Sequence, residues 1–516
     1  MKRIWKAKPQ AAGDLLSQLL ANRGLFAPEE IRDFLDPRYE AAHDPFLLRD
    51  MDRAVARIET ALQKGEKITI YADYDADAVT AAAVLLRFFQ ELKHRNVSAY
   101  IPDRFSEGYG VNPEAIRSLK ESGTNLIITV DCGINAFDAV DLATYLGLDV
   151  IVTDHHQLTG GVPRACAVID PHRPDDNYPF KDLTGVGVAF KLVQGLLQSS
   201  GLQATSYKLQ AGWEKWLLDL VAIGTVADCQ SVLGENRMFI KWGLVVLSKT
   251  RWIGLGKLLE LAGIAGAELD TYKIGFMIAP RINAAGRIEH ANLALEFLLT
   301  DNPERAAILA QKLEELNRHR QDLTEQILSE AREQLLALGD KKILLAAGRG
   351  WPRGIVGLVA GKLTEEFYRP VLVLDRGEVE ATGSARSIRN FNIIEAISQS
   401  KELLLKYGGH PMAAGFTIRN EHIDAFHQQL LEHAEKALPE EALNPVLTYE
   451  AEVVTEALTD ELVETLEKFA PFGLDNPRPR LRVNNLNVLS ARVIGKDGTH
   501  LRAQLGRGSQ VFPAVA

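Results

Sequence analysis

Four apolar runs of strand length in the first third of the chain each lead into aspartates, and this repetition constrains the fold more tightly than any other feature. Ile68–Tyr71 leads into Asp73-Tyr-Asp-Ala-Asp77 and Asn125–Val130 into Asp131-Cys-Gly133. Asp149–Thr153 leads into Asp154-His-His156 and Cys166–Ile169 into Asp170-Pro-His172. Helical patterns, such as Val79–Leu92 and Ala136–Tyr145, lie between them. Alternation of this kind predicts a parallel sheet with helices on its faces. In such open sheets, ligands bind outside the carboxyl ends of the strands. One aspartate at a strand end is usually a helix cap, but four such ends in succession are hard to explain as solvated turns. Asp73, Asp75 and Asp77 share one face if the backbone is extended. Carboxylates that close repel unless a cation lies between them, and hard oxygen ligands suit Mg²⁺ or Mn²⁺.

Further candidates follow along the chain. Leu217 to Asp228 is an apolar helical run ending in a lone acid, either a metal ligand at a helix end or a polar stop. Pro280-Arg-Ile-Asn-Ala-Ala-Gly-Arg287 sets arginines beside small residues that permit close backbone approach. It is either a phosphate grip, since arginine forks match phosphate oxygens, or a surface loop. Residues 301–339 read as one helix, with Asn302 as cap, Pro303 at the first position and Gly339 as stop. Its length suits a connector between domains. A second α/β unit follows, with strands Lys342–Ala347 and Val371–Leu374 and a glycine-rich helix start from Gly354. Thr382-Gly-Ser-Ala-Arg-Ser387 puts hydroxyl and guanidinium groups among small residues, suited to holding a phosphate. Tyr407-Gly-Gly-His410 is either part of such a site or a turn. No Walker pattern supports ATP binding.

At 516 residues the chain exceeds one core. The boundaries read as a helical segment 1–45, an α/β domain 46–300, the connector 301–339, a second α/β domain 340–440 and a strand-rich domain 446–516 that fits a small β-barrel. The last strand-like stretch stops at Phe512-Pro-Ala-Val-Ala516, from which a missing C-terminal part is expected. Three cysteines with no CxxC spacing fit a reducing cytosol and make a zinc ribbon a poor reading. No apolar run is long enough to span a membrane, and the charged start does not resemble a secretory signal. Net charge is −10, so any nucleic-acid footprint must be local. One such footprint is Arg478, Arg480, Arg482, Arg492, Lys496, Arg502 and Arg507 against Asp497 alone.

Asp75, Asp77, Asp131, His155 and Asp228, with Asp73 or His156 as further candidates, are enough to hold two divalent ions. Two such ions activate water and stabilise the leaving oxygen of an in-line phosphoryl displacement. Mixed Asp and His ligands favour Mn²⁺ over Mg²⁺, and a second histidine beside them could serve as acid.

Through Asp73-Tyr-Asp-Ala-Asp77, Asp154-His-His156 and Ala222-Ile-Gly-Thr-Val-Ala-Asp228, the chain resembles the DHH phosphoesterase family. Pro280-Arg-Ile-Asn-Ala-Ala-Gly286, Gly383-Ser-Ala-Arg386, Gly408-Gly-His410 and Pro471-Phe-Gly473 make it similar to that family's bacterial single-strand-specific exonucleases. The resemblance implies two α/β domains, DHH and DHH-associated, joined by a long helix with the active site in the cleft, plus a C-terminal OB-fold. It implies Asp75, Asp77, Asp131, His155 and Asp228 as metal ligands, with Asp73 as an occasional ligand or an orienting group. It makes His156, with Asp131 and Asp77, catalytic, and gives Arg104, Arg281, Ser384 and Arg386 a 5′-phosphate pocket; His410, of the second domain's signature, is a further candidate for binding the DNA. The implied activity is Mn²⁺- or Mg²⁺-dependent 5′-to-3′ hydrolysis of single-stranded DNA to mononucleotides, in DNA repair and recombination. Implied partners are single-stranded DNA, a single-strand-binding protein and a repair helicase, in the cytoplasm. Rival readings are a phosphatase acting on very short oligonucleotides or phosphoadenosine phosphate, and a non-catalytic DNA-binding scaffold. The sequence departs from the family at Ala72 and Ala78, where glycine is usual, and at Trp351-Pro-Arg-Gly354. If position 78 required a positive φ, alanine would cost about 1 kcal/mol or more there.

Overall fold

A computed structural model describes residues 3–516 except 12, 105, 109, 204–208 and 496–497, and the backbone alone at 202–203. Lys496 and Asp497 of the basic stretch thus lie outside the described residues. The chain divides into two compact units, one formed by Ala42–Asn444 and the other by Met1–Ala41 with Pro445–Ala516. The first strand, β1 (Ile4–Ala7), belongs to the smaller unit.

The larger unit begins with a five-stranded, all-parallel sheet. Its strands are β2 (Ile68–Ala72), β3 (Val97–Tyr100), β4 (Leu126–Val130), β5 (Asp149–Thr153) and β6 (Ala167–Ile169), in the order β3-β2-β4-β5-β6. The inner strands are continuous apolar runs, as parallel strands covered on both faces must be, and every residue of β2 and β4 is buried. β3, a half-exposed edge strand, was not legible in the apolar pattern. The helices Ala76–Glu91, Gly185–Gln198 and Leu218–Ala227 are apolar almost all round and nearly wholly buried. Leu218–Ala227 packs on both of the others and carries Asp228 at its C-terminal cap.

Residues Pro303–Ala337 form the long helix, 35 residues or about 52 Å. The Asn302 carboxamide accepts from the backbone N–H groups of Glu304 and Arg305. Its first half packs on the helix Ala279–Ile288. Its second half (Ile327, Leu328, Ala331 and Leu335) shares a core with Trp351, Ile355 and Val359 of the second α/β region. That region holds β7 (Leu344–Gly348), β8 (Val371–Arg376), β9 (Glu380–Arg386), β10 (Leu404–His410) and β11 (Ala413–Arg419), ordered β10-β11-β9-β8-β7. Only β7 and β8 run parallel; the other neighbours are antiparallel.

In the smaller unit β1 pairs in parallel with β12 (Val446–Tyr449), and β13 (Ala451–Glu452) with β14 (Leu481–Arg482). β15 (Asn487–Ile494), β16 (His500–Arg507) and β17 (Gln510–Val515) form an antiparallel meander. A buried ion pair, Arg23 Nη1 to Glu450 Oε2 at 2.9 Å, ties the N-terminal segment to this region. Phe34 meets Phe469 edge-on.

Thr382–Arg386 lies in the inner strand β9, so Ser384 and Arg386 point to the same face. Two local readings change. Pro280–Arg287 lies in the helix Ala279–Ile288 and not in a surface loop. The N-terminal segment holds strand β1 besides its helices, because the β12 edge offers it backbone partners. Ala78 is inside the first turn of the Ala76–Glu91 helix, and its N–H donates to Asp75 Oδ1 at 3.1 Å. Ala72 closes β2. Neither has a positive φ, so alanine is harmless at both.

Candidate functional site

Strand register builds the site. Ala72 pairs with Val130, Val130 with Thr153, and Thr153 with Ile169. The next residue on each strand is an aspartate: Asp73, Asp131, Asp154 and Asp170 therefore line up along one carboxyl edge, and all four are buried. Asp131 turns its backbone into the left-handed region at φ +59°, which aspartate tolerates better than most residues.

The helix N-termini facing this edge supply donors. Asp75 caps Ala76–Glu91, its Oδ1 accepting from the N–H groups of Asp77 and Ala78 at 3.0 and 3.1 Å. Asp77 is fully buried and accepts from Gly185 N and Val186 N, at the start of the Gly185–Gln198 helix, at 2.7 and 3.0 Å. The positive end of a helix favours such an anion. Asn283 Oδ1 accepts from Ala76 N at 2.8 Å, and Gly286 lets its helix approach the Tyr74 carbonyl.

Two ligand groups emerge. One comprises Asp131, His155 and His156, the other Asp77, His155 and Asp228, each with its ligand atoms within 4.8 Å of one another. His155 Nε2 is shared, lying 3.0 Å from Asp131 Oδ1, 3.7 Å from Asp228 Oδ2 and 4.0 Å from Asp77 Oδ2. Among the described residues, His155 Nε2, Asp131 Oδ1, Asp228 Oδ2 and Asp73 Oδ1 are buried with no hydrogen-bond partner. Buried polar atoms normally have partners; the His155, Asp131 and Asp228 atoms belong to the ligand groups, and acceptors left bare there fit a divalent cation. Oxygen and imidazole donors in this proportion suit Mn²⁺ or Mg²⁺.

The electrostatics agree. Burial, then the charge of Asp75, pushes Asp73 up to about 8. Burial and Asp75 push Asp228 up to about 7. Burial and neighbouring carboxylates hold Asp77 and Asp131 well above the usual range. Burial drives His155 down to about 3, leaving it neutral and ready to bind metal. His156 is different. Burial alone would lower it, but Asp154 Oδ1 accepts from its Nδ1 at 2.7 Å, and this bond raises it to about 9. Asp154 also accepts from the N–H groups of Ile134 and His155. It is thus an orienting residue, and it is the part of the Asp-His-His motif that sequence reasoning left without a role.

A pH prediction follows for the metal-free protein. Asp73, Asp228 and His156 have folded pKa values raised above their unfolded ones, so the native state binds more protons and loses stability as pH rises through them. His155, lowered, acts oppositely but only below about 6.5. In chelator, Tm should therefore fall between pH 6.5 and 9, and the Tm gain from Mn²⁺ should grow over the same window, because metal replaces protons. A Tm gain that shrinks with pH would contradict this site.

Beside the carboxylates lies a cationic group. Arg104 stacks over the Tyr74 ring at 4.6 Å. Arg386 Nη1 donates to Ser384 Oγ at 2.9 Å, and both side chains face Gly357, where a Cβ would lie 3.0 and 3.2 Å from them. Arg287 is half-buried, its Nη1 donating to the Gly354 carbonyl at 3.2 Å, and desolvation together with the charges of Arg104, Arg320 and Arg386 pulls it down to about 10. These guanidiniums crowd together next to Asp75, as an anion site requires. The structure thus brings Arg104, Ser384 and Arg386 together and adds Arg287, which sequence reasoning left out of the pocket although it ends the quoted motif. Arg281 is engaged elsewhere: its Nε donates to Glu314 of the long helix at 2.7 Å and its Nη1 to the Met277 carbonyl. It neighbours Arg320, which links it to the group. His410 is exposed at the end of β10, paired with Ala413 across the hairpin. Asp75 is the ligand candidate the geometry treats differently, since it caps a helix and stands outside both ligand groups.

A carboxyl-edge row of acids with paired histidines, faced by a second α/β region, defines a metal-binding α/β enzyme of the DHH class. Family models agree: "DHH family, N-terminal domain" matches residues 67–225, "DHHA1 domain" residues 340–437 and "RecJ OB domain" residues 449–516. The chain is 41% identical over 504 residues to the single-stranded-DNA-specific exonuclease RecJ of Bacillus subtilis, covering 97% of this chain and 62% of that protein. It is 31% identical over 530 residues to RecJ of Escherichia coli, covering 98% and 89%. Among solved structures, RecJ from Thermus thermophilus in complex with Mn²⁺ matches with a TM-score of 0.81 at 30% identity, covering 97% of this chain and 72% of that one. The same Thermus protein is also known in complex with Mg²⁺. The chain belongs to the RecJ family of single-stranded-DNA-specific exonucleases. It spans less than two thirds of the length of the Bacillus relative.

Proposed function

We propose that this protein is a 5′-to-3′ exonuclease that hydrolyses phosphodiester bonds of single-stranded DNA with two Mn²⁺ or Mg²⁺ ions and releases 5′ mononucleotides. The observation that carries the reading is the pair of ligand groups sharing His155 on the aligned aspartate row. Asp77, Asp131, His155 and Asp228 would hold the ions, with Asp75 setting the local negative field and Asp73 and Asp154 behind them. Bound ions supply a water nucleophile at neutral pH and offset charge on the phosphodiester. His156, held by Asp154 through Nδ1, presents its other ring nitrogen as a proton donor to the leaving oxygen or as a hydrogen-bond donor to the phosphoryl group. Arg104, Arg287, Ser384 and Arg386 would hold the terminal phosphate, so that each cut advances the strand by one residue. Among the described residues no helix is long and apolar enough to cross a membrane. The proposed setting is DNA repair and recombination in the cytoplasm, with a single-strand-binding protein and a helicase as partners. The domain organisation proposed for the larger unit is a DHH domain to residue 300, the 301–339 connector and a DHH-associated domain to residue 440.

The rival reading, a phosphatase for very short oligonucleotides, has no use for the region matched by the RecJ OB model. Labelled single-stranded DNA, duplex DNA and a dinucleotide, each with Mn²⁺ and with chelator, separate the readings. Cleavage of the single strand but not of the duplex, only with metal, is expected; hydrolysis of the dinucleotide alone would overturn the proposal, and binding without hydrolysis would favour a scaffold. Arg386→Ala should reduce the preference for 5′-phosphorylated over 5′-hydroxyl ends about tenfold or more, the worth of one charge-assisted hydrogen bond. Arg281→Ala should act in the same direction but less, because Arg281 is already paired with Glu314. Competition between the two kinds of end measures both, and an unchanged preference in Arg386→Ala would refute the pocket.

A further inference from the structure

Tyr272 and Phe276 form an exposed aromatic stack, with ring centroids 4.7 Å apart and planes 26° from parallel. They are 62% and 68% exposed, which is unusual for two rings together on one helix face. They sit where a short helical turn, Thr271–Lys273, passes into the π-helical segment Ile274–Ile278 and then into Ala279–Ile288. π-Helical segments recur at functional sites. From the other side of the turn Ile274 and Ile278 are buried, so the segment is anchored and the rings project outward. Its anchor is the metal-ligand helix: a Cβ at Gly275 would lie 3.6 Å from Val226 Cγ1, and Val226 precedes Asp228 by two residues. In the other direction the same rod leads to Asn283, which accepts from Ala76 N, and to Arg287 of the cationic group. Phe276 and Asn283 are about 10 Å apart along the axis at 1.5 Å per residue. Nearby cations are Lys273, whose ammonium donates to the Glu268 carbonyl, and Arg281; the acid on this turn, Asp270, caps it through Lys273 N.

We infer that Tyr272 and Phe276 are a stacking platform for bases of the single strand next to the metal site. The inference rests on the exonuclease reading and deepens it. Every base has an apolar face, so a platform of this kind binds without regard to sequence. Its element packs on the helix that leads to Asp228 and runs on into the cationic group. That continuity favours a nucleic-acid strand over a docked protein as the occupant.

The test compares wild type, Tyr272→Ala, Phe276→Ala, the double variant and Phe276→Trp with Mn²⁺. Substrates are a long 5′-phosphorylated oligothymidylate, the same strand carrying a run of abasic sites, and a dinucleotide. The platform predicts a KM for the long strand raised about tenfold in the double variant, in the range of one stacked base, with kcat at saturation unchanged and dinucleotide hydrolysis unaffected. Phe276→Trp should retain the wild-type KM. The abasic run should raise KM in wild type but add little in the double variant. A KM within twofold of wild type on the long strand, as expected if the rings dock a protein instead, would overturn the inference. So would an equal loss on the dinucleotide. Wild-type protein that fails to cleave any single strand would instead remove the exonuclease reading itself, and that is read before any variant is made.

Discussion

Asp131→Asn is expected to abolish hydrolysis while leaving the protein folded and, in chelator, at least as stable as wild type. Asp131 is buried at the carboxyl edge of β4, with Asp77, Asp75 and Asp228 the largest charges acting on it. Its Oδ1 has no hydrogen-bond donor and lies 3.0 Å from His155 Nε2. Without a cation this arrangement is mutually repulsive, so removing one potential charge relieves the metal-free state. As the proposed ligand of a cation it would matter to the rate, and its loss should lower the rate by at least about 10³-fold, or roughly 4 kcal/mol of transition-state stabilisation. Asparagine is preferred to alanine because residue 131 has φ +59°, a conformation that asparagine adopts readily and that costs alanine about 1 kcal/mol or more. The decisive measurement pairs activity with melting temperature. Metal at 100 times its Kd stabilises the native state by about 2.7 kcal/mol for one site, and the variant should lose most of that gain. Wild-type rates together with a wild-type Mn²⁺ shift in the variant would remove Asp131 from the metal centre.

Gly185→Ala should come next in size, although position 185 bears no chemical group. Its N–H donates to Asp77 Oδ2 at 2.7 Å, and an added Cβ would sit 2.5 Å from Asp131 Cβ and 2.7 Å from its Oδ1. The methyl group therefore forces apart the two aspartates that anchor the two ligand groups. Overpacking of this kind costs about 1–3 kcal/mol of stability. The greater effect falls on catalysis, where a displacement of about 1 Å can cost about 10²-fold. Gly256→Ala is the control: nothing lies within 4 Å of a Cβ there, and its helix should tolerate or gain from the change. A Gly185→Ala enzyme as active as the control would show that the helix start does not set the geometry of Asp77 and Asp131.

Much of this was legible before any coordinates. The continuous apolar runs of β2, β4 and β5 could only be buried parallel strands, and acids placed just past such strands belong at a sheet's carboxyl edge. Asn302-Pro303 announced the long helix because capping is local, written within four residues. Val97–Tyr100 was not legible, because a half-exposed edge strand lacks a sustained apolar run. The strand over Glu380–Arg386 was not legible either: Gly383 lies under the Phe416 ring, where any side chain would collide, so its glycine serves sheet packing that no local pattern shows.

The sequence by itself determined which chemical groups the strand ends would carry, since side-chain identity and strand period are local properties. Only tertiary structure decided their division of labour. Pairing register set Asp73, Asp131, Asp154 and Asp170 in one row, and that depends on residues 16 to 58 positions apart meeting across a sheet. It brought the N–H groups of Gly185 and Val186 to Asp77 from more than 100 residues along the chain. It also brought Asp228 to His155 from a helix far along the chain. It set Arg287 among other arginines beside those acids, a proximity that no local pattern encodes because long-range packing alone creates it.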